Sequence, residues 1–126
     1  MREANARQMA DLLNGLRREG ALVVCVVVWA ELAAGPGVGP ERCSRLLRAL
    51  DIQVDYEIPR KAWDLAGESF SAYAQRRRAA GAGTPRRLLA DFLVAAHAVH
   101  RAQRLVTQDQ AFFRSVFPQL TLTAVP

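Results

Sequence analysis

Residues 21–28 read ALVVCVVV, a run of β-branched and apolar residues with no polar alternation. Such a run is typical of a strand buried on both faces of a parallel sheet. A second strand is predicted at 52–58, where IQVDYEI alternates apolar and polar residues, and two shorter strands at 105–107 and 120–125. Because helical segments lie between these strands, we predict one domain over residues 1–126, an α/β sandwich with a mostly parallel sheet.

Helical periodicity fills the segments between the predicted strands. Residues 3–19 predict an amphipathic helix that Gly20 ends. Pro59 begins a longer helix to about Ala80, and its predicted buried stripe consists of Trp63, Ala66, Phe70 and Tyr73. The aromatic residues of this stripe and Trp29 are interpreted as core or dimer interface. The other helical segments are a short one that carries Trp29, Glu31 and Leu32, and those at 41–50, 86–102 and 110–117.

Composition favours a folded protein with an anionic partner. Hydrophobic residues make up 51% of the chain, and 17 basic against 12 acidic residues give a net charge of +5. Lys61 is the only lysine, and arginine suits bidentate contacts to phosphate or carboxylate groups. A nucleic acid or an acidic protein segment is therefore a reasonable partner, although a GC-rich coding sequence would produce part of the same bias.

Cysteine use and apolar run lengths predict a cytoplasmic protein. Cys25 lies in a predicted strand and Cys43 in a predicted helix, which makes no disulfide framework. Residues 1–20 are charged and helical in pattern, unlike a signal peptide. The longest apolar run, at 21–30, is too short to span a bilayer, so no membrane association is expected.

Three carboxylates, those of Glu31, Asp91 and Asp109, lie in or beside apolar runs. An ionised acid in such a place is unfavourable unless it is paired, hydrogen-bonded or bound to a metal. Glu31 and Asp109 follow predicted strands, and ligands of open parallel sheets collect at the carboxyl ends of strands. Asp91 lies on the inward face of the helix before the strand at 105–107, near the helix start. The three acids are thus predicted to share one edge and to hold a hard cation.

Each acid also has a purely structural interpretation. Glu31 could be a first-turn glutamate favoured by the helix dipole. Asp109 could cap the helix that follows it, and Asp91 could pair with Arg86 or Arg87. Convergence of all three acids on one edge, in a basic protein, favours a metal-dependent nuclease over three unrelated roles.

Three blocks of the chain carry a resemblance to a known family: VVWAELAAG (27–35), ADFLVAAHA (90–98) and TQDQAFFRSVFPQLTL (107–122). They resemble the PIN-domain ribonucleases, specifically the VapC-type toxins of type II toxin–antitoxin systems. The resemblance implies a PIN-like three-layer α/β/α sandwich that cuts RNA with Mg²⁺ or Mn²⁺ held by a cluster of acids. It also implies a VapB-like antitoxin as a partner and a homodimeric assembly.

The same resemblance assigns roles to individual residues. Glu31, Asp91 and Asp109 correspond to the second, third and fourth acids of the family, and Thr107 to the hydroxyl residue that supports them. The family begins with a central strand that carries the first acid, and nothing here matches it. Asp11 is the nearest acid, but it lies in the middle of a predicted helix and is not assigned. We expect that strand roughly ten or more residues upstream in the full protein; the alternative is a degenerate, inactive copy.

Five arginines of the stretch 76–87, which contains no acid, are predicted to contact RNA: Arg76, Arg77, Arg78, Arg86 and Arg87. They lead directly into the helix of Asp91, so they could grip phosphates at the mouth of the site. The alternatives are a solvated helix end, where cations are favoured, and a contact with an acidic antitoxin segment. His97 and His100 fall on the predicted solvent stripe, and without a further Cys or His nearby a zinc site is not expected.

Two functions follow as hypotheses. The first is a metal-dependent endoribonuclease toxin that a cognate antitoxin neutralises, and the second is a catalytically dead PIN-like module that binds RNA or an antitoxin. A phosphoryl-accepting signalling domain is set aside, because it needs a lysine near the last strand and Lys61 lies elsewhere.

Overall fold

The computed structural model describes residues 2–81 and 87–125, except for the side chain of Arg2. In chain order these residues form α1 (Arg2–Glu19), β1 (Leu22–Cys25), α2 (Val26–Ala33), α3 (Gly39–Ala49), β2 (Ile52–Asp55), α4 (Arg60–Ala79), α5 (Leu89–Arg101), β3 (Leu105–Thr107), α6 (Gln110–Val116) and β4 (Leu122–Ala124). They group into two compact units, one from α1 to β2 and one from α4 to β3, α6 and most of β4. The single domain expected over residues 1–126 stays a prediction.

In the first unit, β1 and β2 pair side by side in parallel, as the sequence predicts. Leu22 lies opposite Ile52, and the register ends with Cys25 opposite Asp55. Asp51 connects α3 to β2 with a φ of +57°, in the left-handed region that Asp tolerates better than most residues. The two strands therefore have their carboxyl ends together. The predicted site needs the carboxyl end of β3 as well, and β3 belongs to the second unit.

The predicted strand at 21–28 is too long. The strand ends at Cys25 and helix α2 begins at Val26, so the apolar run is shared between a strand and a helix. Periodicity cannot separate these two outcomes in a short run that is apolar throughout. The prediction of burial on both faces is also wrong, because Val23 is 40% exposed. Its side chain points to the face opposite that of its two neighbours, and that face is open at Val23, although Cys25 on the same face is buried.

In the second unit, α4 packs against α5 around a cluster of aromatic rings. Phe92 and Phe117 are fully buried. Phe70 stacks on Phe92 with ring centroids 4.8 Å apart, and Phe112 meets Phe92 edge-on at 5.6 Å. Such offset and edge-on pairs add to the stability that burial of the rings provides. Strands β3 and β4 form a second two-stranded sheet.

The predicted burial of Trp63 and the predicted exposure of His97 are both wrong, because of how the helices pack. Trp63 is 48% exposed, because the buried face of α4 runs through Ala62 and Ala66, which are fully buried, and successive residues are about 100° apart around a helix. His97 is only 3% exposed, because α5 is buried over most of its circumference from Phe92 onwards. His100 is exposed, as predicted. None of the helices in the described ranges combines the length and apolarity needed to cross a bilayer.

Candidate active site

Asp91 lies in the first turn of α5 and is half-buried. Its Oδ2 accepts a hydrogen bond from the backbone N–H of Leu88 at 3.3 Å, and its own N–H donates to the Leu88 carbonyl at 3.1 Å. This reciprocal pair closes the start of the helix, where a negative charge is also favoured by the helix dipole. The suggested partner Arg87 bonds elsewhere, and the other suggested partner, Arg86, lies outside the described residues.

Asp109 immediately precedes α6, in the position of a helix cap. Its side chain makes no capping hydrogen bond; instead, Oδ2 lies 2.5 Å from Nη2 of Arg87. The alternative interpretation of Asp109 as a cap is therefore right about its position and wrong about its carboxylate. With 41% of its side chain exposed, the carboxylate remains accessible from solvent.

Thr107, the last residue of β3, holds the backbone of Asp109 in place. Its Oγ1 accepts a hydrogen bond from the Asp109 N–H at 3.0 Å, a turn that a hydroxyl residue commonly makes with the residue two positions on. The bond turns the chain directly at the carboxyl end of the strand. This geometry gives Thr107 a physical means of supporting Asp109. The role in an acid cluster that the resemblance implies for Thr107 stays a prediction.

Glu31 is exposed and lies in the second half of α2. Because that helix begins at Val26, Glu31 is its sixth residue, and the interpretation as a first-turn glutamate is wrong. Glu31 belongs to the first compact unit, whereas Asp91 and Asp109 belong to the second. Convergence of all three acids stays a prediction.

Within the second unit, a two-residue segment touches both acids. The N–H of Leu88 bonds to Asp91, and the guanidinium of the preceding residue, Arg87, bonds to Asp109. Arg87 also lies over the ring of Phe112, with 4.1 Å between the guanidinium carbon and the ring centroid. Asp91 and Asp109 are thus both tied to the chain at 87–88, although they are far apart in sequence.

The oxygen donors of this region are of the type that Mg²⁺ and Mn²⁺ prefer, namely two carboxylates and the nearby Thr107 hydroxyl. Within residues 2–81 and 87–125, no group of three or more His, Cys, Asp or Glu side chains is arranged to hold one metal ion. The Arg87 guanidinium provides the positive charge beside Asp109. The type of donor atom therefore fits a divalent ion, but fewer than three such acids converge among the described residues, and the charge of Asp109 is already paired with Arg87.

Three of the predicted RNA-binding arginines, Arg76, Arg77 and Arg78, form the last turn of α4. Arg76 and Arg78 are exposed and Arg77 is half-buried. Cations are favoured at this end of a helix, so their position is explained without RNA, and their exposure leaves them accessible to phosphates. Arg87 is bonded to Asp109, and Arg86 is again outside the described part of the chain.

The rule that places ligands at the carboxyl ends of parallel strands also selects Asp55, which the prediction missed. Asp55 ends β2 opposite Cys25, and its Oδ1 accepts the N–H of Glu57 at 3.1 Å. Burial raises the pKa of the Cys25 thiol, hydrogen bonds from the backbone at Val27 and Val28 oppose this, and the charge of Asp55 adds to the rise. The alternating pattern placed Asp55 inside a strand predicted to extend to residue 58, so its position at the end of β2 could not be identified from the sequence.

Comparison with known families returned one match, to a family model described as PIN domain, over residues 2–117. No curated protein and no solved structure matched the chain significantly. The match confirms the predicted PIN-like α/β class, with which the six helices and short parallel strands of the described residues agree.

Proposed function

The chain belongs to the PIN-domain family, and on that premise we propose that it is a metal-dependent endoribonuclease, the VapC-type toxin of a toxin–antitoxin pair. PIN domains are usually metal-dependent nucleases and often occur in toxin–antitoxin systems. The observation that carries the proposal is the match itself, which extends over residues 2–117. Asp91 and Asp109, which are bonded to Leu88 and Arg87, support the proposal.

In this proposal Asp91 and Asp109 are the direct ligands of Mg²⁺ or Mn²⁺, and Glu31 acts on water in the site. When bound, the ion would activate water for attack and neutralise charge on the scissile phosphate. Thr107 keeps Asp109 at the end of β3 through the Asp109 N–H, and the Leu88 N–H holds Asp91. The chain's own residues thus orient the carboxylates before any substrate is present.

The substrate of the proposed reaction is RNA, and the bond that breaks is a phosphodiester. Hydrolysis would leave a 5′-phosphate and a 3′-hydroxyl, as the family resemblance implies, without a covalent enzyme intermediate. Phosphates next to the cleaved bond would contact the arginines proposed above: Arg76, Arg77, Arg78, Arg86 and Arg87. Arginine binds phosphate oxygens in a bidentate manner, which suits this role.

The proposal is tested with a 5′-labelled single-stranded RNA of mixed sequence in the presence of Mn²⁺. We expect cleavage that EDTA abolishes, and a loss of at least about 100-fold in rate for Asp91→Asn and Asp109→Asn. Asp64→Asn is the matched control, because Asp64 is an exposed acid of α4 in a surface ion pair with Arg60. The mapped ends of the product report the type of bond cleavage.

Asparagine at position 91 retains an oxygen that can accept the Leu88 N–H, so Asp91→Asn should fold nearly as well as the parent chain. Asp91→Ala removes the acceptor as well and should lower the free energy of unfolding by about 1 kcal/mol. Equal loss of cleavage in both variants, with unequal loss of stability, would separate the catalytic role of the carboxylate from its role in the helix.

A catalytically dead PIN-like module that binds RNA or an antitoxin is the second candidate. It is favoured by the ion pair between Arg87 and Asp109, which balances the charge of a proposed ligand without any metal. RNA binding by the parent chain without cleavage at any Mn²⁺ concentration, and with Asp109→Asn binding equally well, would favour this candidate over the enzyme.

The partners are also part of the proposal. A VapB-like antitoxin would suppress the cleavage described above, and the toxin would assemble as a homodimer. Light scattering of the purified chain measures its oligomeric state, and an equimolar complex with the product of a neighbouring small gene would identify the antitoxin. A monomer at micromolar concentration would contradict the proposed assembly.

A further inference from the structure

Arg87 is held by two partners at once. Its Nη2 lies 2.5 Å from Oδ2 of Asp109, and its guanidinium carbon lies 4.1 Å from the centroid of the Phe112 ring. A guanidinium over an aromatic face is attracted by the ring, and arginine is the cation that most often makes this contact. The side chain is therefore placed on Asp109 by its stacking as well as by its charge.

The ring that holds Arg87 belongs to the core. Phe112 is 9% exposed and contacts Phe92 at 5.6 Å and Phe113 at 5.0 Å, both edge-on. Because these neighbours are themselves buried, Phe112 is a fixed platform. The core thus determines the position of a cation beside a proposed metal ligand, through one aromatic residue.

We infer that Arg87 is a built-in counter-ion of Asp109, which occupies the carboxylate in the absence of a divalent ion and must leave it when the ion binds. The inference rests on the proposed function in taking Asp109 as a ligand. A divalent ion would approach a carboxylate oxygen to roughly 2.1 Å, so it competes with the guanidinium for Asp109. An ion bound there would lie close to the Arg87 guanidinium, and the two positive charges would repel each other. The two cations therefore cannot share the Asp109 carboxylate without loss of affinity for the ion.

The exposure of the pair makes the exchange feasible. The side chains of Arg87 and Asp109 are 33% and 41% exposed, and ion pairs of this kind are weak because water and salt screen them. A divalent ion can therefore displace the guanidinium, and the arginine lowers the affinity for the ion by only a small factor. The contact tunes metal affinity and does not block the site.

The residue after Arg87 is hydrogen-bonded into the start of α5, so we expect the exchange to require only movement of the Arg87 side chain. The following residue, Leu88, donates its N–H to Asp91 and accepts the N–H of the same residue through its carbonyl. When the guanidinium leaves Asp109, it remains attached to a capped helix start within reach of the proposed site. It is then available to bind a substrate phosphate, so one residue links binding of the metal ion to binding of RNA.

The test is the affinity of the full chain for Mn²⁺ alone, measured by titration calorimetry and by the electron paramagnetic resonance signal of free Mn²⁺. We expect Arg87→Gln to bind Mn²⁺ about two- to fivefold more tightly than the parent chain. Arg87→Lys keeps the charge without the planar fork, and its affinity should lie between the two. Arg114→Gln is the matched control, because Arg114 is an exposed arginine of the neighbouring helix α6, and it should bind as the parent does.

The outcomes separate this inference from the proposed function. Tighter binding in Arg87→Gln but not in Arg114→Gln supports the inference, even if the chain then fails to cleave RNA, a result that would overturn only the enzyme. Equal or weaker binding in Arg87→Gln overturns the inference and leaves the enzyme standing. No Mn²⁺ binding by any variant overturns both. Circular dichroism checks folding, and if Arg87→Gln does not fold, Arg87→Lys is judged by the same criterion.

Discussion

The hydroxyl of Thr107 accepts the backbone N–H of Asp109 at 3.0 Å, while the carboxylate of Asp109 points to Arg87. The two halves of Asp109 are therefore held by different partners, the backbone by the end of β3 and the side chain by a cation from the segment before α5. Thr107 acts through Asp109, which makes it a positioning residue in the proposed site.

Thr107→Val keeps the shape of the side chain and removes the acceptor of the Asp109 N–H. We expect the free energy of unfolding to fall by about 1 kcal/mol, the Kd for Mn²⁺ to rise, and cleavage to slow by roughly tenfold. Thr107→Ser retains the hydroxyl and should restore both Mn²⁺ affinity and rate. Urea unfolding and Mn²⁺ titration measure the two effects separately.

Thr123→Val is the matched control for this prediction. Thr123 lies in β4 of the same two-stranded sheet, and its Oγ1 accepts a hydrogen bond from Nη1 of Arg104 at 3.3 Å. Its loss should lower stability without changing the Mn²⁺ affinity. Equal changes of Mn²⁺ affinity in the two valine variants would reduce Thr107 to a purely structural role.

The order of strands and helices could be predicted from the sequence, because most elements carry a helical or an alternating period; the run at 21–28 carries neither. The boundaries depended on contacts between elements. Val26 could extend the strand or begin a helix, and the apolar run at 21–28 contains no residue that decides between them. The prediction that His97 is exposed was wrong for a similar reason. A polar residue on a helix marks a solvent face only when no other element covers it.

The sequence predicted which acids form the candidate site. It could not predict which residues those acids would contact. Proximity in sequence suggested that Arg87 would pair with Asp91, four residues away, but Arg87 pairs with Asp109 across the fold. The stacking on Phe112 that favours this choice depends on how α6 packs against the core. Hydrogen bonds over two residues, such as the one between Thr107 and Asp109, are the local features that a sequence pattern does encode.

Removal of two charges from the C-terminal turn of α4 should weaken RNA binding. For the double variant Arg76→Gln/Arg78→Gln we expect the Kd for single-stranded RNA to rise about three- to tenfold at roughly 0.1 M salt. The slope of log Kd against log salt concentration should fall by about one to two, because fewer counterions are released. Fluorescence anisotropy over a series of salt concentrations measures both quantities.

The control for the arginine pair removes two charges from the other end of the same helix. Arg60 and Lys61 are exposed at the start of α4, and Arg60→Gln/Lys61→Gln gives the same change in net charge. RNA affinity in this variant should change less than in the first. If both doubles weaken binding equally, the three arginines of the last turn are a solvated helix end and the RNA contact is a general effect of charge.

The raised pKa of the Cys25 thiol should make the free energy of unfolding depend on pH. Its side chain is buried at 4% exposure, and this burial, with the charge of Asp55, raises its pKa in the folded chain. The unfolded chain then ionises first as pH rises above about 8.5, the ordinary thiol pKa, and it holds fewer protons than the folded chain there. The stabilising contribution is therefore complete below that pH and is lost as pH rises through the folded-state pKa.

Cys25→Ala isolates this contribution, because alanine fits the site without a titrating group. The difference in free energy of unfolding between the parent chain and Cys25→Ala should be constant below about pH 8 and should decrease above it. The native thiol should also react with iodoacetamide far more slowly than in urea at the same pH, since the thiolate is the reactive form. A difference that grows with pH, or alkylation of native Cys25 at the rate of the unfolded chain, would contradict a raised pKa for this thiol.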